Sequence, residues 1–190
     1  MRLVRVAAGA VTVIAVLAGC SDGGTANETL PSVSSSAAET SESLPPLGPP
    51  DLPMPDEARK QTEAGALAAG KYFAQLTEYS YQSMDPSGLT NLSSECSYCR
   101  ELAASISEDR TAGYRYEGGG ITFRDAGQVV LSGSGAEVAF SLTQGSLQVI
   151  AEDGNTLADR SQPTYDVFTS FVMRWDEASE AWLITQVSNS

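Results

Sequence analysis

The chain has 190 residues, 24 of them acidic and 11 basic, for a net charge of −13, and it contains no histidine. That balance argues against nucleic acid and anionic lipid surfaces as partners, because both need clustered Lys and Arg. The missing histidine removes the commonest general base, metal ligand and pH switch, and with it any Ser–His–Asp triad.

Taken in order, the chain begins with Arg2 and Arg5, followed by an uncharged apolar run from Val6 to Gly19. This is the layout of a secretory signal, and the run is too short to span a bilayer comfortably. It closes on Leu17-Ala18-Gly19-Cys20, which resembles the lipobox of bacterial lipoproteins. The resemblance implies cleavage before Cys20 and a diacylglycerol thioether on it, so residues 1–19 are expected to be lost. Two acyl chains give stable anchoring where one is marginal. The membrane, reached through that lipid, is the first expected partner, and the expected location is the outer face of the cell membrane. Without Arg2 and Arg5 the remainder carries nine basic and 24 acidic residues, net −15, which favours solubility.

Residues 20–55 read as a disordered linker. They hold seven of the nine prolines among Ser, Thr and Ala, with hardly any aliphatic pattern. The second half, LPPLGPPDLPMP, favours extended polyproline geometry.

The folded domain is expected over residues 56–190. Asp56 is the candidate N-cap of a helix running to about Met84. Thr62, Ala66, Ala69, Phe73, Leu76 and Ser80 alternate at spacings of four and three, forming one stripe. Asp85-Pro86 ends it, and a short turn follows through Leu92. A second helix is expected from Ser94 to Gly113, with Cys99, Leu102, Ala103, Ile106 and Arg110 facing inward.

From Tyr114 the period changes to two. Tyr114/Tyr116, Ile121/Phe123, Val129/Leu131, Val138/Phe140/Leu142 and Leu147/Val149 mark short strands. A long strand runs from Tyr165 to Trp175, and a last one carries Trp182 and Ile184. Gly118-Gly119-Gly120 and Gly133-Ser134-Gly135 are candidate bends. The fold class is α+β: two N-terminal helices packed on a curved antiparallel sheet of five to six strands.

This layout resembles the cone-shaped roll of the nuclear-transport-factor-2-like (NTF2-like) and cystatin-like superfamily. The lipobox, the stretch TEAGALAAGKYFAQLTEYSY and Cys96-Ser97-Tyr98-Cys99 together resemble a group of actinobacterial lipoproteins of unknown function. The resemblance implies a fold and a location and supplies no activity. Cones of this class often enclose a pocket. Tyr72, Tyr79, Tyr81, Tyr116, Phe171, Trp175 and Trp182 are the residues that could line one, or else pack the core.

Of the three cysteines, Cys96 and Cys99 remain if Cys20 carries lipid, and outside the cytoplasm they are expected to form a disulfide. A redox-active pair and a metal-bound pair are the alternatives. The first lacks the βαβ context of thioredoxin-like enzymes, and the second lacks two further Cys or His ligands. Asp153, Asn155 and Asp159 have only part of a calcium-loop pattern. No pair of carboxylates stands out, and neither cofactor nor metal is expected. The chain therefore reads as a non-enzymatic module that binds an envelope protein, a cell-wall component or a small ligand. A pocket-based isomerase-like enzyme and a thiol oxidoreductase are the alternatives. The sequence leaves the oligomeric state open.

Overall fold

The structure is a computed structural model, and residues 46–190 are described. The expected signal segment, Cys20 and most of the expected linker lie outside the described residues. Among the described residues no helix is long and apolar enough to cross a membrane.

The chain enters as a strap, not a free linker. Leu47 and Leu52 pack against the core and Met54 is buried in it. Met54 N–H donates to Leu47 O at 2.8 Å, and Leu52 N–H donates to Pro49 O at 3.0 Å. The described residues ahead of residue 56 are therefore packed on the domain, where a disordered linker is expected from the sequence. The prolines restrict the unfolded chain, so laying the strap down costs less entropy, and three apolar side chains then outweigh a disorder-prone composition.

A 3-10 turn, Asp56–Arg59, precedes α1, Glu63–Ser83. Thr62 and not Asp56 caps α1, its side chain accepting from Gly65 N–H at 3.0 Å. The stripe read from the sequence forms the buried face, where Ala66, Ala69, Phe73, Leu76 and Ser80 lie inside. Gly70 sits in that face because a Cβ there would come within 3.1 Å of Val138 Cγ1.

The expected turn after Asp85 is a one-turn helix, α2, Ser87–Asn91, so the described residues hold three α-helices where two are expected. Asp85 Oδ1 accepts from Ser87 N–H at 3.0 Å and starts it. The next helix, α3, spans Ser97–Thr111. Its N-cap is Cys96, whose Sγ accepts from Cys99 N–H at 3.1 Å. Its buried face is Cys99, Ala103, Ile106 and Asp109. Arg110, expected inside, is exposed.

Seven strands follow: β1 (Arg115–Gly118), β2 (Ile121–Phe123), β3 (Gln128–Ser132), β4 (Gly135–Gln144), β5 (Leu147–Ile150), β6 (Tyr165–Asp176) and β7 (Ala181–Asn189). Five of them form the main antiparallel sheet, ordered β2-β4-β6-β7, with β3 beside β4 further along the same edge. The other two, β1 and β5, pair separately. The single sheet expected from the sequence is thus split at Gly118-Gly119, which take φ of +83° and +78°. Gly119 N–H donates to Ser146 O and Gly145 N–H to Gly120 O, both at 2.8 Å, so a bent hairpin links the two sheets. The positive φ values interrupt the ladder and turn the small sheet away from the main one.

Along β6, Thr169, Phe171, Met173 and Trp175 alternate inward. Phe171 meets Phe73 edge-on and Phe140 at a tilt, both with ring centroids 5.6 Å apart. Trp175 and Trp182 pack edge-to-face at 5.4 Å. These rings fill most of the space between α1 and the main sheet.

Candidate functional site

Where the small sheet turns away, it leaves a cavity of about 480 Å³. Its walls come from α1 through Tyr81, from α3 through Tyr98 and Asp109, from β1 through Tyr116, and from the 151–164 connection through Arg160 and Gln162. Gln144 and Tyr165, at the ends of β4 and β6, complete the rim.

The 151–164 connection is held in place by its own hydrogen bonds. Ser161 Oγ accepts from Val149 N–H at 3.0 Å and donates to Leu157 O at 2.8 Å. Gln162 and Leu147 exchange backbone hydrogen bonds at 2.8 and 2.9 Å. The clamp delivers Arg160 to Asp109.

Asp109 is the buried charge of the site, at 2% exposure. Arg160 Nη2 donates to its Oδ1 at 2.6 Å, and the Tyr116 hydroxyl donates to its Oδ2. A buried carboxylate needs such partners, since desolvation is otherwise costly. The Arg160 guanidinium also lies 5.4 Å from the Tyr114 ring centroid. Tyr116 packs edge-to-face on Tyr81 at 5.0 Å.

Burial pushes the Tyr116 phenol above the ordinary tyrosine range, and its hydrogen bond to Asp109 adds to the shift. Burial does the same to Tyr81, reinforced by Tyr98 and Tyr165, and to Tyr98. These phenols stay neutral at physiological pH. The carboxylate is already occupied by a cation and a phenol, so the cluster presents hydrogen-bonding groups and not a free base. General-base chemistry needs a carboxylate that can reach the substrate's proton.

The expected pocket residues separate. Tyr116 lines the cavity, and so does Tyr81. Tyr79 lines a different groove, of about 390 Å³, under the proline strap. Phe171 only borders a small void of about 60 Å³, which Tyr98 and Tyr165 also line. Tyr72, Trp175 and Trp182 are core residues instead. The Tyr72 hydroxyl donates to Leu52 O at 2.8 Å under the strap, and Trp182 Nε1 donates to Lys60 O at 3.0 Å. The polar atoms of Tyr72 and Trp182 thus fasten the N-terminal segment. Asp109, Arg160 and Gln162 were missed. Asp159, noted only for its calcium-loop spacing, lies on the cavity wall, while Asp153 accepts from Asn155 in a local turn. Asp109 did carry a signal, because it lies three residues after Ile106 and in register with Cys99 and Ala103 on the inward face.

Cys96 and Cys99 are joined by a disulfide, with both residues 1% exposed, inside the core that α2, α3 and β7 share. An oxidoreductase needs a thiolate that a partner can reach, and this pair has no such surface. Among the described residues no group of three or more Cys, Asp or Glu is placed to hold a metal ion.

Comparison with known proteins agrees at the level of fold. The intermembrane space region of the chloroplast protein ARC6 is 13% identical, with 68% of this chain and 97% of that one covered, at a TM-score of 0.50. An NTF2-like superfamily protein from Salmonella enterica serovar Typhimurium LT2 is 14% identical, covering 62% of this chain and 89% of that one, at 0.39. An NTF2-like protein of unknown function in nutrient uptake from Rhodospirillum rubrum is 12% identical, covering 63% and 95%, at 0.41. No curated protein matches the chain. The model of DUF6318, a family of unknown function, matches residues 40–188, and the chain belongs to that family.

Proposed function

We propose that this chain is a lipid-anchored extracytoplasmic module that binds a small ligand in the cavity between α1, α3 and the small sheet. The observation that carries the binding reading is the cavity of about 480 Å³, whose Asp109–Arg160–Tyr116 cluster is locked by the fold before any ligand arrives. Its size lies in the range of ligand sites, and a wall of fixed polar groups provides orientation. The occupied carboxylate and neutral phenols favour binding over acid–base turnover. Thermal-shift measurements on the full chain, with anionic, cationic, neutral-polar and apolar small molecules, test this. One class should raise Tm, and Tyr98→Ala or Gln162→Ala should abolish the rise while Tyr79→Phe keeps it. Shifts indifferent to the cavity variants would contradict the reading.

The anchor rests on Leu17-Ala18-Gly19-Cys20. Metabolic labelling with an alkyne fatty acid should mark the wild-type chain in the membrane fraction. Cys20→Ser should lose both label and membrane association. An unlabelled wild-type chain would contradict the anchor.

A second reading, contact with an envelope protein, is favoured by the outer face of the main sheet. There Val130, Phe168 and Val172 are 64%, 48% and 37% exposed. A photocrosslinker at position 168 should then yield one discrete adduct in cells, and the absence of any adduct would contradict it.

A further inference from the structure

We infer that the cavity takes a neutral, polyhydroxylated ring, the chemistry of a sugar. This rests on the reading of the cavity as a binding site and adds the class of ligand.

Charge is the first argument. The cation in the wall, Arg160, is already paired with the buried Asp109, and Asp159 adds an uncompensated negative charge nearby. An anionic ligand would meet net negative charge with no free cation to receive it. A cationic ligand would meet the Arg160 guanidinium, and the Tyr81 and Tyr116 rings are engaged with each other in place of forming an open cage.

The polar groups make the second argument. Apart from that charged cluster, the wall offers the hydroxyls of Tyr81, Tyr98 and Tyr165 and the side-chain amides of Gln144 and Gln162. Each of these side chains can both donate and accept a hydrogen bond. A sugar hydroxyl does the same, whereas a phosphate oxygen only accepts and an ammonium only donates. The Tyr165 hydroxyl already rests on Gln144 Oε1 at 3.2 Å, leaving the Gln144 amide N–H groups to donate elsewhere.

Surface shape is the third. Tyr98 and Tyr165, at the mouth, are 38% and 41% exposed. Their rings offer apolar faces with a polar tip. Leu147 and Val149 add a small apolar patch to an otherwise polar lining. A sugar ring, with an apolar C–H face and a hydroxylated edge, matches that division. An apolar ligand would leave most of the polar wall unpaired, at a cost.

Isothermal titration calorimetry on the full chain, in a detergent without sugar headgroups, tests the inference. The probes are glucose, N-acetylglucosamine and its β-1,4-linked tetramer, with inorganic phosphate and tetramethylammonium as charged counterparts. A neutral sugar should bind saturably, and Gln162→Ala and Tyr165→Ala should each weaken it at least tenfold. Tyr81→Phe, which deletes one oxygen and keeps the ring, should weaken it several-fold. Tighter binding of the tetramer than of the monomer would point to a glycan chain as source, and equal binding to a free sugar; both uphold the ligand class. Phosphate or tetramethylammonium binding that responds to Gln162→Ala, with no sugar binding, would overturn the ligand class while keeping the cavity as the site. Sugar binding indifferent to all three variants would overturn it too. Silence from every probe here, together with no cavity-dependent ligand in the thermal-shift panel, would remove both readings.

Discussion

Asp109 shows what a single residue settles in this molecule. It ties α3, β1 and the 151–164 connection together through Tyr116 and Arg160. Asp109→Ala leaves a phenol and a guanidinium without their acceptor. The expected cost is about 1–3 kcal/mol, below that of a fully enclosed pair because the Arg160 side chain is 42% exposed. Asp109→Asn keeps the shape and an acceptor and should lose less; urea denaturation of the two variants checks the order. Tyr72 carries a pH signature. Burial raises its phenol to about 12, while the unfolded chain keeps an ordinary value near 10. Its contribution is thus complete below about pH 10 and lost as pH rises toward about 12. Phenolate absorbance from Tyr72 should accordingly appear with unfolding, and Tyr72→Phe should flatten the alkaline limb of the stability profile. An ordinary titration of that phenol in the folded state would contradict its burial under Leu52.

At the scale of elements, Gly65 decides how the chain enters α1. A Cβ there would lie 2.0 Å from the Lys60 carbonyl oxygen. Ala ordinarily gains about 1 kcal/mol over Gly in a helix. Here Gly65→Ala should instead destabilise by about 1–3 kcal/mol as the Asp56–Arg59 turn is forced off α1. A stabilised variant in chemical denaturation would refute that packing. The disulfide closes only a short loop, so Cys96→Ala/Cys99→Ala should cost about 2 kcal/mol from loop closure. Added to that is the loss of the N-cap, about 1 kcal/mol. These elements also show what the sequence made legible. The α1 stripe and the β6 alternation were readable because each buries one face along its whole length. The α1 cap was misplaced because Pro55-Asp56 and Thr62 are both good local signals. The tertiary contact of Trp182 with Lys60 O lies 122 residues away and selects between them. The strap reads as linker in the sequence for a similar reason, since proline content reports disorder only when nothing nearby can cover Leu47, Leu52 and Met54.

For the whole molecule, the cavity is a consequence of topology. A continuous sheet would have carried β1 and β5 along the main sheet. The Gly118-Gly119 break swings them aside, and Arg160 and Gln162 then face α3 across the gap. That juxtaposition spans 51 residues between Asp109 and Arg160, which is why local pattern reading points to Tyr81 and Tyr116 and not to the charge that organises them. Six of the seven tyrosines also divide the surface into testable regions. Tyr81, Tyr98, Tyr116 and Tyr165 line the cavity, Tyr79 lies in the groove under the strap, and Tyr72 lies beneath Leu52. The central claim is that ligand binding occurs at the first group. The most direct measurement is NMR of ring-13C-tyrosine protein, titrated with the ligand class that raises Tm. The account predicts shifts at Tyr81, Tyr98, Tyr116 and Tyr165 with Tyr72 and Tyr79 unmoved. Shifts at Tyr79 with the cavity tyrosines unmoved would contradict it and place the site under the strap.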